Sequence, residues 1–307
     1  MFDWRFFIVF FSFACQAHTK LNQNQILLDV KTLASDEFEG RKAPSLGHKQ
    51  AQNYIISRFK QLALEPLFPD YKQPFSLKGE PGVNLGAFIK GKRYPQEFWV
   101  ITAHYDHLGQ KSGLTYHGAN DNASGVAALL ALARYFNKQG SNYSLVLLAT
   151  DAEENGLLGA KYFVKHFKYV NKTRININLD MLGHDAKRKA LYAMGNIKGL
   201  KLDNIVDKLK PSAFQSEFHV LTRTPRQKRN NIYRINWKNA SDHAVFADLG
   251  IPYIHFGADI HSSYHKTTDT FEQVKPAFLF ASISAIIEIL DRLQDVEPSR
   301  FYFKDKS

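Results

Sequence analysis

Along this chain the spacing of apolar positions changes character once, near residue 95. Before that point helical spacing dominates. Ile26, Leu27, Val30 and Leu33 fall on one face, and Ser35-Asp36-Glu37 and Gly40 break the pattern. Ala51, Tyr54, Ile55, Phe59 and Leu62 line the face of a second helix. Pro66, Pro69 and Pro74 punctuate the next stretch. After Pro95, short continuous apolar runs alternate with helical segments. Phe98-Trp99-Val100-Ile101 has the composition of a strand buried on both faces, and it ends in Thr102-Ala103-His104-Tyr105-Asp106-His107. Gly125 to Phe136 is Ala-rich and predicts a buried helix. Leu145 to Ala149 is a second strand, ending in Asp151-Ala152-Glu153-Glu154. Leu157 to Phe167 predicts a helix. Ile175 to Leu179 predicts a strand ending at Asp180, and Ile251 to Phe256 one ending at Gly257. Phe278 to Leu293 is a final amphipathic helix. Strands alternating with helices predict an α/β layered fold with a largely parallel sheet. There is no internal repeat and no low-complexity linker. One domain is expected over residues 24–296, with residues 18–23 and 297–307 as mobile ends.

Composition narrows this picture. The chain has 307 residues, 44% hydrophobic and 22% charged, which excludes intrinsic disorder. Lys and Arg total 40 against 29 Asp and Glu, a net charge of +11 that permits an acidic partner. The single cysteine, Cys15, excludes an internal disulfide, a zinc ribbon and an iron–sulfur centre. No apolar run reaches the ~18 residues of a spanning helix. Phe6 to Ala14, behind Arg5, predicts an export signal over residues 1–17, cleaved after Ala14 or Ala17. Ser12-Phe13-Ala14-Cys15 loosely resembles a bacterial lipobox without its usual aliphatic residue. Two destinations are open: a free periplasmic or secreted protein, or one anchored in the cell envelope by a lipid at Cys15.

The chemistry gathers where the strands end. Open α/β sheets place ligand sites at the carboxyl ends of strands. Here three runs end in His104/Asp106, Glu153/Glu154 and Asp180. The segment Gly118-Ala-Asn-Asp121-Asn-Ala-Ser-Gly125 leads into a buried helix, and a His-rich loop from His261 to Thr270 comes after the fourth strand. Carboxylates so crowded repel one another unless a cation or protons neutralise them. Imidazole and carboxylate without thiolate suit zinc, cobalt or manganese. Three carboxylates and two imidazoles exceed what one tetrahedral zinc accepts, and two ions sharing a bridging carboxylate account for the number.

These stretches, with Glu153-Glu154-Asn-Gly-Leu-Leu-Gly159, Asp180-Met-Leu-Gly183, Ser241-Asp-His243 and His265-Lys-Thr-Thr-Asp-Thr270, run in the order of a known family. The chain resembles the M28 peptidases, di-zinc aminopeptidases of the zinc-dependent exopeptidase fold, from about residue 26 to 293, including the Gly40-Arg41 region. The resemblance implies a three-layer αβα sandwich around a central mixed, mostly parallel sheet. It implies two zinc ions per chain, bridged by Asp121, with Glu154 and His265 completing one site and His104 and Asp180 the other. It implies Glu153 as general base, Asp106 as the group that orients His104, and a cis peptide after Asp121. Asp242 and His243 either line the substrate pocket or brace its loop, Tyr264 is a pocket residue, and Asp269 is a helix cap or a partner of the His265 loop. The activity so implied is hydrolysis of the N-terminal bond of peptides with a free N-terminus. Glutaminyl cyclase, on the same fold with a single zinc, and a non-catalytic binding relative are the other readings.

The chain departs from some relatives in two ways. They carry a Tyr just before Ser-Asp-His that supports the oxyanion. Here Trp237, Lys238, Asn239 and Ala240 stand there, so that role is unassigned. The disulfide of some secreted relatives is also absent. His107, His117, His184, His255 and His261 read as hydrogen-bonded structural histidines. The basic segment Arg223 to Lys238 reads as a solvated loop, and no nucleic-acid partner is expected. The sequence does not specify an oligomeric state.

Overall fold

The computed structural model describes residues 21–77, 79–184, 189–197, 201–209, 218–225 and 235–301. The expected export signal with Cys15, residues 226–234 of the basic segment and residues 302–307 lie outside them. In chain order the elements are α1 (Gln23–Leu33), α2 (Leu46–Gln61), β1 (Glu65–Pro66), β2 (Lys72–Leu77), β3 (Glu80–Ile89), β4 (Tyr94–His104), β5 (Gly109–Lys111) and β6 (Leu114–Tyr116). Then come α3 (Ser124–Gln139), β7 (Tyr143–Thr150), α4 (Leu158–His166), β8 (Thr173–Leu179), β9 (Ala190–Asn196) and α5 (Leu202–Val206). The last are β10 (His219–Leu221), α6 (His243–Asp248), β11 (Tyr253–Gly257) and α7 (Pro276–Leu293).

The main sheet runs β1-β3-β7-β4-β8-β11-β9-β10, with β2 paired to β3. Its centre, β7-β4-β8-β11, is parallel, and these are the four strands that the apolar runs predict. Antiparallel neighbours flank the centre: β3 beside β7 and β9 beside β11. Neither flank is among the predicted strands. Pro74 sits in β2, an edge strand that pairs only with β3, where proline is tolerated. β9, ALYAMGN, does carry a five-residue apolar run, Ala190 to Met194, which the sequence reading passes over.

The pleat sorts side chains onto two faces. Trp99, Ile101 and Ala103 of β4, Leu145 and Leu147 of β7 and Ile175 and Ile177 of β8 join one core with α1, α2, α3 and α7. Phe98 and Val100 of β4 and Val146 and Leu148 of β7 join a second core with Phe163 of α4 and Phe246 of α6. Helices therefore cover both faces, giving three layers. Towards the carboxyl ends the second face turns polar, with Thr102, His104, Thr150, Asn178, Asp180 and His255 all buried.

The C-terminal end departs from expectation. Within the expected tail Phe301 is packed into the core, while Glu297, Ser299 and Arg300 stay exposed. Glu297 accepts from Arg93 and from Tyr94, and Phe301, 1% exposed, stands edge-on to Trp99 and Tyr143.

Candidate metal centre

β4, β8 and β7 end side by side, and each delivers charge at its end. His104 is the last residue of β4, and Asp180 comes directly after β8. Glu153 and Glu154 lie just past β7 in a turn where Ala152 takes a left-handed φ of 53°. That turn is held from below. Buried Asp151 accepts from His48, from the amide of Val83 and from the hydroxyl of Tyr105. It is held from above by Asp106, whose two carboxylate oxygens accept from the amides of Glu153 (3.1 Å) and Glu154 (3.3 Å). The ring of His104 is oriented by the backbone oxygen of Asp106, 3.2 Å from Nδ1; the carboxylate lies farther off, at 3.7 Å. Asp106 therefore serves the site mainly by fixing the glutamate turn.

Asp121 sits in a tight loop, Ala119–Ala123, and its bond to Asn122 is cis. Asp269 grips this loop by accepting from the amides of Asn120 and Asp121, both at 3.0 Å. Asn122 ties it to the end of β8, donating to Leu179 O and accepting from the amides of Gly125 and Met181. Gly125 has to be glycine here, since a Cβ would stand 2.5 Å from Leu179 O. Arg41 closes the far side. Its guanidinium, fully buried, donates to the carbonyls of Leu33, Tyr105, His117 and Gly118. Burial draws its pKa down to about 10 against the pull of Asp269, Asp121, Asp106 and Glu154.

The side chains converge on both oxygens of Asp121. His104 Nε2 is 3.4 Å from Asp121 Oδ1 and 3.5 Å from Asp180 Oδ1. His265 Nε2 is 3.1 Å from Asp121 Oδ2 and 3.5 Å from Glu154 Oε2. Donors held at about 2.0–2.1 Å by one tetrahedral ion stand about 3.3–3.4 Å apart, whereas N–H···O bonds centre near ~2.9–3.0 Å. Three of the four distances fall at the longer spacing. Asp180 Oδ1 is buried and accepts no hydrogen bond among the described residues, a further sign of groups arranged for a cation. Metal-like groupings form around each oxygen: His104, Asp121 and Asp180, and His107, Asp121 and Glu154. His107 belongs to the site although its sequence reads as structural. Its Nδ1 is 3.0 Å from Glu154 Oε1, and the signal in the sequence is its place three residues after His104 in one strand-end motif.

The electrostatics agree. Burial alone pushes the His104 imidazole down, yet Glu153, Asp106, Asp121 and Asp180 outweigh it and hold its pKa well above the usual range. Burial pushes Asp121 up, and bonds to His104 and His265 bring it well below. Glu153 is driven well up by burial, helped by Glu154, Asp242 and Asp180 and opposed by His104.

Beside the cluster lies a cavity of about 70 Å³. Glu153 and the groups around Asp121 line it, together with Met181, Trp237, His255, Ala258, Ile260 and Tyr264. Tyr264 stacks on His265 at 3.9 Å. Asp242 and His243 brace the loop from behind and are absent from the lining. Asp242 accepts from Thr150, its pKa raised to about 6 by burial, and His243 Nε2 bonds to Trp237 O.

The sequence model of peptidase family M28 matches residues 84–290. The chain belongs to the M28 peptidase family. Over 193 residues it is 27% identical to an aminopeptidase of Bacillus subtilis, YwaD, covering 60% of this chain and 38% of that protein. This M28 chain thus matches less than half the length of its curated relatives. In fold it resembles a zinc aminopeptidase from Bacillus subtilis, with a TM-score of 0.68 and 16% identity over 94% of this chain and 99% of that one. It also resembles the glutaminyl cyclase of Porphyromonas gingivalis, with a TM-score of 0.63 and 19% identity over 89% and 98%.

Proposed function

We propose that this M28 chain is an exported zinc aminopeptidase acting on peptides with a free N-terminus. The observation that carries the reading is Asp121, each of whose carboxylate oxygens faces its own imidazole, which in turn faces a second carboxylate, with three of the four distances at metal-ligand spacing. His104, Asp121 and Asp180 would hold one zinc, and Asp121, Glu154 and His265 the other. Zinc bound there supplies a Lewis acid and lowers the pKa of water towards ~7.

The chain's own groups do the rest. Glu153 faces the cavity beside these residues without being needed as a ligand. Burial and the neighbouring carboxylates make its carboxylate a stronger base than an ordinary glutamate. It takes the proton of the attacking water on a carboxylate oxygen and returns it to the leaving amine. Asp106 keeps Glu153 and Glu154 in fixed relation through their amides. His107 holds one oxygen of Glu154 and leaves the other for the metal side. Export rests on the Phe6 to Ala14 run, with release to the periplasm or medium, or anchoring at Cys15, as its two forms.

The test is metal analysis together with release of the N-terminal residue from aminoacyl reporters. Two zinc ions per chain are expected. Glu153→Gln should keep its zinc and lose about 10²–10⁴-fold in kcat. Full activity in that variant, or in metal-free protein, would sink the mechanism. The fold likeness to a glutaminyl cyclase makes cyclisation of N-terminal glutamine the second reading. One zinc per chain with cyclisation and no peptide cleavage would favour it.

A further inference from the structure

Beneath the metal-binding groups the same sheet face carries a second polar layer, and its wiring leaves one donor unused. Thr102 pairs in register with Asn178, and Asn178 with His255, so these three lie level. His104, Asp180 and Gly257 come two residues later on the same face, about 6.6 Å nearer the carboxyl edge.

The direction of the hydrogen bonds is set from one end. Val100 O can only accept, so the Asn176 atom 3.1 Å from it is the amide nitrogen Nδ2. That nitrogen is also 3.1 Å from Thr102 Oγ1, which therefore accepts and must direct its own proton elsewhere. It donates to Asn178 Oδ1 at 2.7 Å. The other arm of the Asn178 amide is then Nδ2, which donates to Ser241 Oγ and to His255 Nδ1, both at 2.9 Å. Flipping the Asn178 amide would leave the Thr102 hydroxyl proton with no acceptor. A ring whose Nδ1 accepts carries its proton on Nε2.

That Nε2–H has no partner among the described residues. His255 is 3% exposed and lines the cavity. Gly257, one layer above, leaves the way to it open. A Cβ there would stand 3.1 Å from His255 Nε2 and 2.8 Å from Asp180 O. The adjoining walls, Met181, Trp237, Ala258 and Ile260, are largely apolar, and the carboxylates of the metal cluster line the same cavity, with Asp180 one layer nearer the carboxyl edge. A neutral donor at the foot of such a pocket suits an uncharged acceptor on a short apolar stem. An anionic side chain would meet the carboxylates.

We propose that His255 determines specificity: its Nε2–H donates to an acceptor in the uncharged side chain of the substrate's N-terminal residue, the class to which glutamine and asparagine belong. The inference rests on the aminopeptidase reading of the site. Depth assigns the partner, since the scissile bond lies among the metal-binding groups and His255 lies one layer below them.

Two measurements test it. In metal-free protein with ¹⁵N-labelled histidine, NMR reads the tautomer of His255 directly; a neutral ring protonated on Nε2 is expected. In the zinc-loaded protein, kcat/KM is compared for reporters carrying N-terminal glutamine, asparagine, leucine and norleucine. Glutamine should exceed norleucine. His255→Leu should cut the glutamine-to-norleucine ratio by about tenfold or more, and His255→Gln, which keeps an N–H donor, should restore part of it. A proton on Nδ1, or an unchanged ratio in His255→Leu, overturns the assignment. If no reporter is cleaved, the aminopeptidase reading fails by itself. The assignment is then read from calorimetry of free glutamine and norleucine binding to wild type and His255→Leu, and equal preference in both overturns it.

Discussion

At the scale of single residues, the site is organised by what each carboxylate is prevented from doing. Asp121 and Glu154 would repel each other in a metal-free cleft, and the protein answers with imidazoles. Carboxylates hold His104 well above its usual pKa, despite burial, and Asp121 and Glu154 raise His265 against its own burial. Without metal His104 is therefore held protonated at neutral pH and His265 is shifted towards its protonated form, and a metal must displace those protons. A raised pKa in the metal-free state makes protons compete better, so apparent zinc affinity should weaken as pH falls below neutrality. Zinc uptake near pH 7 should release protons. Titration calorimetry in buffers of different ionisation enthalpy measures this directly, and a binding heat independent of buffer would contradict it. His107 and His255 show where reading by residue type stops. Both are ordinary buried histidines by residue type, and partners distant in sequence, Glu154 in the turn after β7 and Asn178 on β8, distinguish them. Part of the signal for His255 is local. Strand alternation puts it on the face of Gly257, and so on the face that carries His104 and Asp180.

At the scale of elements, burial on both faces decides what can be read. β4, β7, β8 and β11 are buried over most of their length because helices cover them on both sides; the apolar runs of β4 and β7 stand out unaided, whereas β8 alternates Ile175, Ile177 and Leu179 with buried Asn176 and Asn178. The candidate ligands are legible for the same reason, since each charged group interrupts such a run at its end. Among the flanking strands β2 is an edge strand and the β2–β3 hairpin carries Pro74, Pro81 and Gly82, whereas β9 is buried from Ala190 to Met194. The hairpin's pairing comes from the sheet rather than from its own residues. The end of the chain behaves likewise. Nothing in Pro298-Ser299-Arg300-Phe301 marks it as core, yet Phe301 fills the space beside Trp99 and Tyr143. Phe301→Ala should cost about 3–5 kcal/mol, from lost burial and the cavity left behind. Thermal unfolding should show a Tm lower by roughly 5–10 °C. An unchanged Tm would mean that this end adds nothing to the core.

At the scale of the whole molecule, the net charge of +11 and the site are separate matters. The groups that converge on the cavity are mostly anionic, so the basic excess lies elsewhere on the chain. More consequential is where the match to the family model sits. Residues 84–290 begin inside β3 and exclude α1, α2, Arg41, His48 and Phe301. Yet Arg41 donates to the carbonyls of Tyr105, His117 and Gly118, which carry the loops on either side of the metal cluster, and His48 donates to Asp151 beneath the glutamate turn. Each buried acceptor left without its donor costs about 1–3 kcal/mol. A fragment of residues 84–290 should therefore show no cooperative thermal transition, and a sharp one would refute this. The stretch that the family model matches is thus expected not to fold alone: an arginine from outside it ties the chemistry of this chain to its foldability.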